Sequence, residues 1–163
     1  MEIRLSSKLQ IGSISDGDGI RAVLWTQGCP HKCPGCHNPK THDYNGGFVL
    51  DASELIKELS KHSYLDGITF SGGEPFEQPE ALIEVAKAAH KVGLNVWSYT
   101  GYTYEQITSD KRKMALLEHI DVLVDGPFIL SLKTLNKKFR GSSNQRIIDV
   151  KQSLKENRAI VID

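Results

Sequence analysis

Cys29, Cys33 and Cys36 are the only cysteines of the chain, and they share one short stretch with the spacing C-x3-C-x2-C. Pro30, Pro34 and Gly35 fill the gaps, so the stretch reads as a chelating loop rather than as three incidental thiols in a helix or strand. Three thiolates this close together suit a soft metal, and an odd number cannot all pair as disulfides. Two metals compete. A structural zinc would take His37 or His31 as fourth ligand, but such sites usually join two separated knuckles, and the sequence has no second one. An iron–sulfur cubane is normally held by four cysteines, so three would leave one iron free to take a substrate.

A second stretch, Gly72-Gly73-Glu74-Pro75, follows the apolar run Gly67–Ser71. Two glycines let a ligand approach the backbone closely, and Glu74 offers an acceptor to a cation. A tight turn with a solvated glutamate is the plain alternative. The pairing favours the ligand. Ile20–Thr26 reads as a buried strand that runs directly into the cysteine loop, and Gly67–Ser71 as a strand that runs into Gly-Gly-Glu. In parallel α/β sheets, ligands collect at the carboxyl ends of strands.

The remaining elements follow the same rhythm. Asp51 and Glu54 resemble a capping box for a helix near 52–62, and Pro79 opens a second helix that Gly93 stops. Leu94–Thr100 and Asp121–Asp125 read as further strands, and Thr103 with Gln106 as another capping box. Helices around Met114–Ile120 and before Ala159 complete the pattern, with strands at Ile147–Val150 and Ala159–Ile162, while residues 1–19 read as a lead-in with an extended piece at Ile11–Ile14. Strand, loop and helix in repetition, with right-handed crossovers, give an α/β fold. The 163 residues are too few for a closed eight-fold barrel, so the expected architecture is an open partial (βα) barrel of about five parallel strands with outer helices, in one domain spanning 1–163.

Composition narrows the function. The 20 basic and 20 acidic residues cancel, which argues against a general nucleic-acid or anionic-membrane surface. No apolar run is long enough to span a membrane, Met1–Leu9 lacks a signal-peptide core, and clustered free thiols fit a reducing cytoplasm. His42, His62, His90 and His119 read as surface or capping residues, Trp25 and Trp97 as core.

The cysteine loop together with Gly72-Gly73-Glu74-Pro75 resembles the radical S-adenosylmethionine (SAM) superfamily. Further stretches are similar to one branch of it, the anaerobic ribonucleoside-triphosphate reductase activating proteins: Asp16–Arg21, Thr26–His31, Gly35–Asn38, Trp97–Tyr102, Val124–Phe128 and Arg140–Arg146. The last two narrow the resemblance, which spans roughly residues 10–150. Asp18 stands where the branch usually has proline in its Asp-Gly-Pro-Gly turn, and Gly35 where much of the superfamily has an aromatic residue.

The resemblance implies a mechanism. Cys29, Cys33 and Cys36 would hold three irons of one [4Fe–4S] cluster, and the fourth iron would chelate S-adenosyl-L-methionine. Gly72, Gly73 and Glu74 would hold its methionyl ammonium, Gly35, Cys36 and His37 would lie at its adenine, and Ser98 and Tyr99 at its ribose or carboxylate. A flavodoxin-like donor would supply an electron, and reductive cleavage would give a 5′-deoxyadenosyl radical that takes hydrogen from a glycine of the reductase large subunit. No general acid or base is required. Arg140, Asn144, Gln145 and Arg146 are candidates for docking that partner, against a solvated polar loop. The rivals are an activase of another glycyl-radical enzyme such as a lyase, which commonly carries extra cysteines; a short radical SAM enzyme acting on a small molecule, such as the synthase of the deazaguanine pathway; and a zinc module without enzymatic activity.

Overall fold

The computed structural model describes residues 1–162. It begins with two short strands, β1 (Glu2–Leu5) and β2 (Gln10–Ser13), where the sequence promised only one extended piece. The order continues β3 (Arg21–Thr26), β4 (Phe48–Asp51), α1 (Ala52–Ser60), β5 (Gly67–Gly72), α2 (Pro79–Lys91) and β6 (Asn95–Tyr99). Then come α3 (Tyr104–Thr108), α4 (Lys111–Leu117), β7 (Val122–Asp125), β8 (Arg146–Asp149) and α5 (Val150–Glu156). The strands form one mixed sheet in the order β4-β1-β3-β5-β6-β7-β8, with β2 added on β3.

Strands β3, β5, β6 and β7 are parallel, and helices connect β5 to β6 and β6 to β7. This is the expected open α/β sheet with outer helices, but with four parallel strands instead of about five. The expected fifth, β8, runs antiparallel to β7. No α-helix lies between them, and a strand that returns without a crossover helix returns antiparallel. Ala159–Ile162 contributes only an isolated bridge from Val161 to Ile148.

Alternation along the strands sorts the side chains to two faces. Ala22, Leu24, Ile68, Phe70, Val96, Leu123 and Ile148 pack with Leu55, Leu82, Ile107 and Leu116 from the helices, forming the main core. Each such fully buried aliphatic or aromatic side chain contributes about 1.5–3 kcal/mol relative to exposure. Local signals hold the helices in place. Asp51 caps α1 by accepting from the Ser53 N–H (2.9 Å), and Thr103 and Gln106 form the reciprocal capping box of α3. Among the described residues, no helix is long and apolar enough to cross a membrane.

The other face of the sheet is concave. Trp97, Val124 and Ile147 make a smaller cluster there, joined by Tyr99 and Phe139. Arg21 closes its lower end, at the amino end of β3. Its guanidinium is 1% exposed and donates to Thr69 Oγ1 (2.8 Å), Asp18 O (2.8 Å), Ile68 O (3.0 Å) and Asn95 Oδ1 (2.9 Å), with the Trp97 ring 5.3 Å from its carbon. Burial pushes its pKa down to about 10, opposed by Asp18, Asp66 and Asp121, so it stays charged at neutral pH. The Asp16–Gly19 turn folds over this plug, and Thr69 Oγ1 donates to Asp16 O (2.6 Å). The open end of the concave face is thus at the carboxyl ends of the strands.

Candidate functional site

Thr26 and Gly72 are paired residues at the carboxyl ends of β3 and β5, so the cysteine loop and the Gly-Gly-Glu turn leave the sheet side by side. Two backbone hydrogen bonds join them: Gly73 N–H to Thr26 O (3.1 Å) and Glu74 N–H to Gly28 O (2.8 Å). Only glycine permits that approach. A Cβ on Gly73 would lie 2.7 Å from Gly28 O, and one on Gly72, whose φ is +122°, 2.2 Å from Thr26 O.

The loop is braced from behind. Gly28 N–H donates to Thr41 O (2.7 Å) and Cys29 N–H to His42 O (3.2 Å). The buried Gln27 amide donates to Lys40 O (2.8 Å) and Asp43 O (2.6 Å). Cys29 is buried at the foot of the loop; Cys33 and Cys36 are half-buried at its tip, where Cys36 N–H donates to Cys33 O (3.1 Å). Burial pushes the Cys29 thiol up to about 11. A bound metal reverses that preference, because coordination favours the thiolate.

All three thiols line one cleft of about 430 Å³, with Gly72, Gly73 and Tyr99 on its facing wall. That volume suits a small organic ligand. Among the described residues, no three His, Cys, Asp or Glu side chains are already gathered as a metal-ion site. The donor set is soft: three sulfurs on one loop. His31 Nε2 is engaged by Glu74, and His37 packs on Phe128 with ring centres 5.3 Å apart. Three thiolates with an open position fit a cubane cluster.

Glu74 is buried and fully engaged. Its carboxylate, 1% exposed, accepts from Phe76 N–H (2.9 Å), Thr100 Oγ1 (2.9 Å), Gly101 N–H (2.7 Å) and His31 Nε2 (2.7 Å). It stands behind the cleft wall rather than on it, tying the cysteine loop to the loop after β6. The Gly72–Gly73 backbone, by contrast, lines the cleft. Ser98 and Tyr99 are separated in the same way. Tyr99 faces the cleft, whereas Ser98 is fully buried on the opposite side of β6, its hydroxyl directed to Tyr99 O (3.1 Å). Cys36 and His37 reach the cleft, but Gly35 lies outside its wall, against Leu130. Trp25 is half-buried at the cleft and bonded to Gln10 Oε1 (3.0 Å) rather than in the core; Trp97 is buried.

Comparison with known proteins decides the family. The model of the 4Fe-4S single cluster domain matches residues 15–148. The chain is 36% identical over 140 residues to the anaerobic ribonucleoside-triphosphate reductase-activating protein of Enterobacteria phage T4, covering 81% of this chain and 85% of that one. The Escherichia coli (strain K12) protein of the same name is 33% identical over 141 residues, with 81% and 90% covered. This chain belongs to that family.

As a member it is a radical SAM activating enzyme built on a 4Fe-4S domain. The pyruvate formate-lyase-activating enzyme of Clostridium pasteurianum is a further relative, 41% identical over 116 residues, 65% of this chain and 49% of that enzyme. QueE from Escherichia coli shares the fold, with a TM-score of 0.52 at 17% identity, covering 63% of this chain and 54% of its own.

The two stretches that narrow the resemblance prove to be partners of each other. Gln145 Oε1 accepts from Gly141 N–H (2.9 Å) and its amide donates to Gly126 O (3.1 Å); Asn144 Nδ2 donates to Pro127 O (2.8 Å). Arg146 grips the buried Asp125 through Nε (3.0 Å) and Nη2 (2.5 Å), and also reaches Glu105 (2.8 Å). Asn144, Gln145 and Arg146 therefore form an internal clasp that fixes the Asp125–Phe128 turn. Arg140 lines the cleft. Sequence reasoning also missed His31, Thr100 and Gly101 as partners of Glu74, and Gln78, which reaches both Arg4 and Gln27. These are contacts between distant segments, without a local signal. Of the other histidines, His90 pairs with Asp121 (2.8 Å), His62 bonds Tyr64 (2.8 Å) at the surface, and His42 lines the cleft.

Proposed function

We propose that this chain activates an anaerobic ribonucleoside-triphosphate reductase by placing a radical on a glycine of its large subunit. The observation that carries the reading is the hydrogen-bonded pair of loops at the ends of β3 and β5: a three-thiol loop and a Gly-Gly-Glu turn on one cleft.

Cys29, Cys33 and Cys36 each give a thiolate to one [4Fe–4S] cluster. When bound, the cluster and S-adenosyl-L-methionine would supply the one-electron reductive chemistry needed to take a hydrogen atom from the glycine. The residues of the chain hold, orient and shield. Carbonyls of Gly72 and Gly73, which line the cleft, would accept from the methionyl ammonium, with the Glu74 carboxylate behind them. Tyr99 lines the cleft on the β6 side, and burial raises its phenol pKa well above the usual range, so it would serve as a neutral hydrogen-bonding group. His37, near Phe128, offers a flat surface to the adenine. Phe139, which lines the cleft and packs edge-on against the buried Trp97, would help to exclude water there. No side chain needs to carry a proton. A flavodoxin-like protein serves as electron donor, and a reducing cytoplasm suits the three free thiols.

A second reading, activation of a lyase, is favoured by the 41% identity to the pyruvate formate-lyase-activating enzyme, although that match spans 49% of the enzyme. One experiment separates the two. The anaerobically reconstituted protein is incubated with SAM, a reductant and either the reductase large subunit or pyruvate formate-lyase, and glycyl radical is read by electron paramagnetic resonance. Radical on the reductase alone supports the proposal; radical on the lyase alone overturns it.

A further inference from the structure

We infer that the strap between β7 and β8 is the docking surface for the protein substrate, and that it takes a segment carrying carboxylates among apolar side chains. This rests on the activating role proposed above and names the surface that such a role needs.

Residues 129–140 form an excursion that the clasp holds at its base. Ile129 N–H donates to Ser142 Oγ (3.2 Å), Ser143 N–H to Leu132 O (2.8 Å) and Thr134 N–H to Gly141 O (3.0 Å). The strap is thus pinned, yet it turns its four aliphatic side chains outward. Leu130 is 52% exposed, Leu132 41% and Leu135 90%, with Ile129 beside them. Single exposed leucines are ordinary, but four aliphatic side chains on one short strap make a patch of the kind that marks an interaction site.

Charge identifies the occupant. Lys133, Lys137, Lys138 and Arg140 lie on the strap, and no Asp or Glu occurs between Asp125 and Asp149. The chain as a whole is neutral, so this is a local basic field. It fits an acidic partner segment and repels a basic one.

Position ties the patch to the cleft. Leu130 lies against the cysteine loop, where a Cβ on Gly35 would come within 2.7 Å of its Cδ1. Gly141 lies beside His37, where a Cβ would stand 3.5 Å from Nε2. Phe139 turns into the concave face and meets Trp97 edge-on at 5.3 Å. It does so with φ at +62°, in the left-handed region that bulky residues avoid, so the strap's shape is held by that anchor. A polypeptide that brings a glycine to the cleft passes over the leucines and lysines on its way in.

The test uses the cluster-loaded full chain and the reductase large subunit. In Leu135→Asp, affinity for the large subunit falls at least about tenfold, the scale of losing one buried leucine contact, while 5′-deoxyadenosine release without the reductase stays at the wild-type level. In Lys137→Glu/Lys138→Glu, association slows and its salt dependence flattens. Wild-type affinity and glycyl-radical yield in both variants would overturn the proposal. So would a Leu135→Asp change that breaks up a wild-type dimer, or abolishes binding to phosphatidylglycerol vesicles, while leaving reductase affinity intact: the patch would then serve a second copy or a lipid surface. A wild-type protein that releases no 5′-deoxyadenosine in either the presence or absence of the reductase would fail the activating role itself, and this proposal with it.

Discussion

Removing the Glu74 carboxylate should loosen the whole rim of the site. In Glu74→Ala, the buried N–H groups of Phe76 and Gly101 lose their acceptor, as do the Thr100 hydroxyl and His31 Nε2. An orphaned buried donor costs about 1–3 kcal/mol, so the two amides alone cost about 2–6 kcal/mol. Deleting the charge also relieves its own desolvation penalty, which places the expected net loss near the low end, about 3 kcal/mol. For a domain of this size that is a fall in Tm of about 6–12 °C. Glu74→Gln keeps the side chain's length and one oxygen acceptor and should lose about a third as much. Thermal unfolding of the metal-free proteins, followed by circular dichroism, measures both. Amide exchange at Phe76 and Gly101 reports the local opening, and should accelerate in Glu74→Ala. A Tm within 2 °C of wild type and unchanged exchange at the two amides would show that Glu74 is not the tie between the loops.

Two further predictions concern the backbone and the outer helices. Gly73→Ala puts a methyl group within 2.7 Å of Gly28 O, so the two loops must part; SAM cleavage should be lost while iron content after reconstitution stays near wild type, and intact cleavage would contradict the close approach. Asp121 is pushed up by burial, but the His90 and Val96 N–H bonds outweigh this and hold its carboxyl below its ordinary value of 3.8. The folded pKa is thus the lower one, so the stabilisation is fully present above about pH 4 and lost as pH falls through the folded value. The stability gap between wild type and Asp121→Ala, from urea unfolding, should be widest above pH 5 and shrink towards pH 3; a gap that widens on acidification would reverse the sign.

Much of this site was legible in the sequence because its parts are local. The C-x3-C-x2-C spacing and the Gly-Gly-Glu turn each follow an apolar run, and strand-end placement put them on one rim before any coordinates. The helix caps at Asp51, Thr103 and Gln106 were readable for the same reason, since each acts within three residues. What sequence could not supply was orientation and long-range partnership. Ser98 and Tyr99 are neighbours in sequence, yet alternation along β6 sends them to opposite faces. Glu74 looked like a free acceptor because, apart from Phe76 N–H, its donors sit 26, 27 and 43 positions away. The Arg140–Arg146 stretch looked like a polar surface loop because its partner, the Asp125–Phe128 turn, lies across the twelve-residue strap. The antiparallel course of β8 was hidden for want of a signal that no helix would intervene.

The central claim is that Cys29, Cys33 and Cys36 hold a cluster that serves SAM cleavage. Its most direct test is reductive cleavage by the anaerobically reconstituted protein, with 5′-deoxyadenosine quantified for wild type and Cys33→Ala, with and without the reductase. Wild type should bind iron and sulfide and release 5′-deoxyadenosine. Cys33→Ala should release none and still unfold cooperatively, because Cys33 lies at the loop tip, outside the core. Cleavage by Cys33→Ala at the wild-type rate, or stoichiometric zinc without sulfide in the wild type, would contradict the claim.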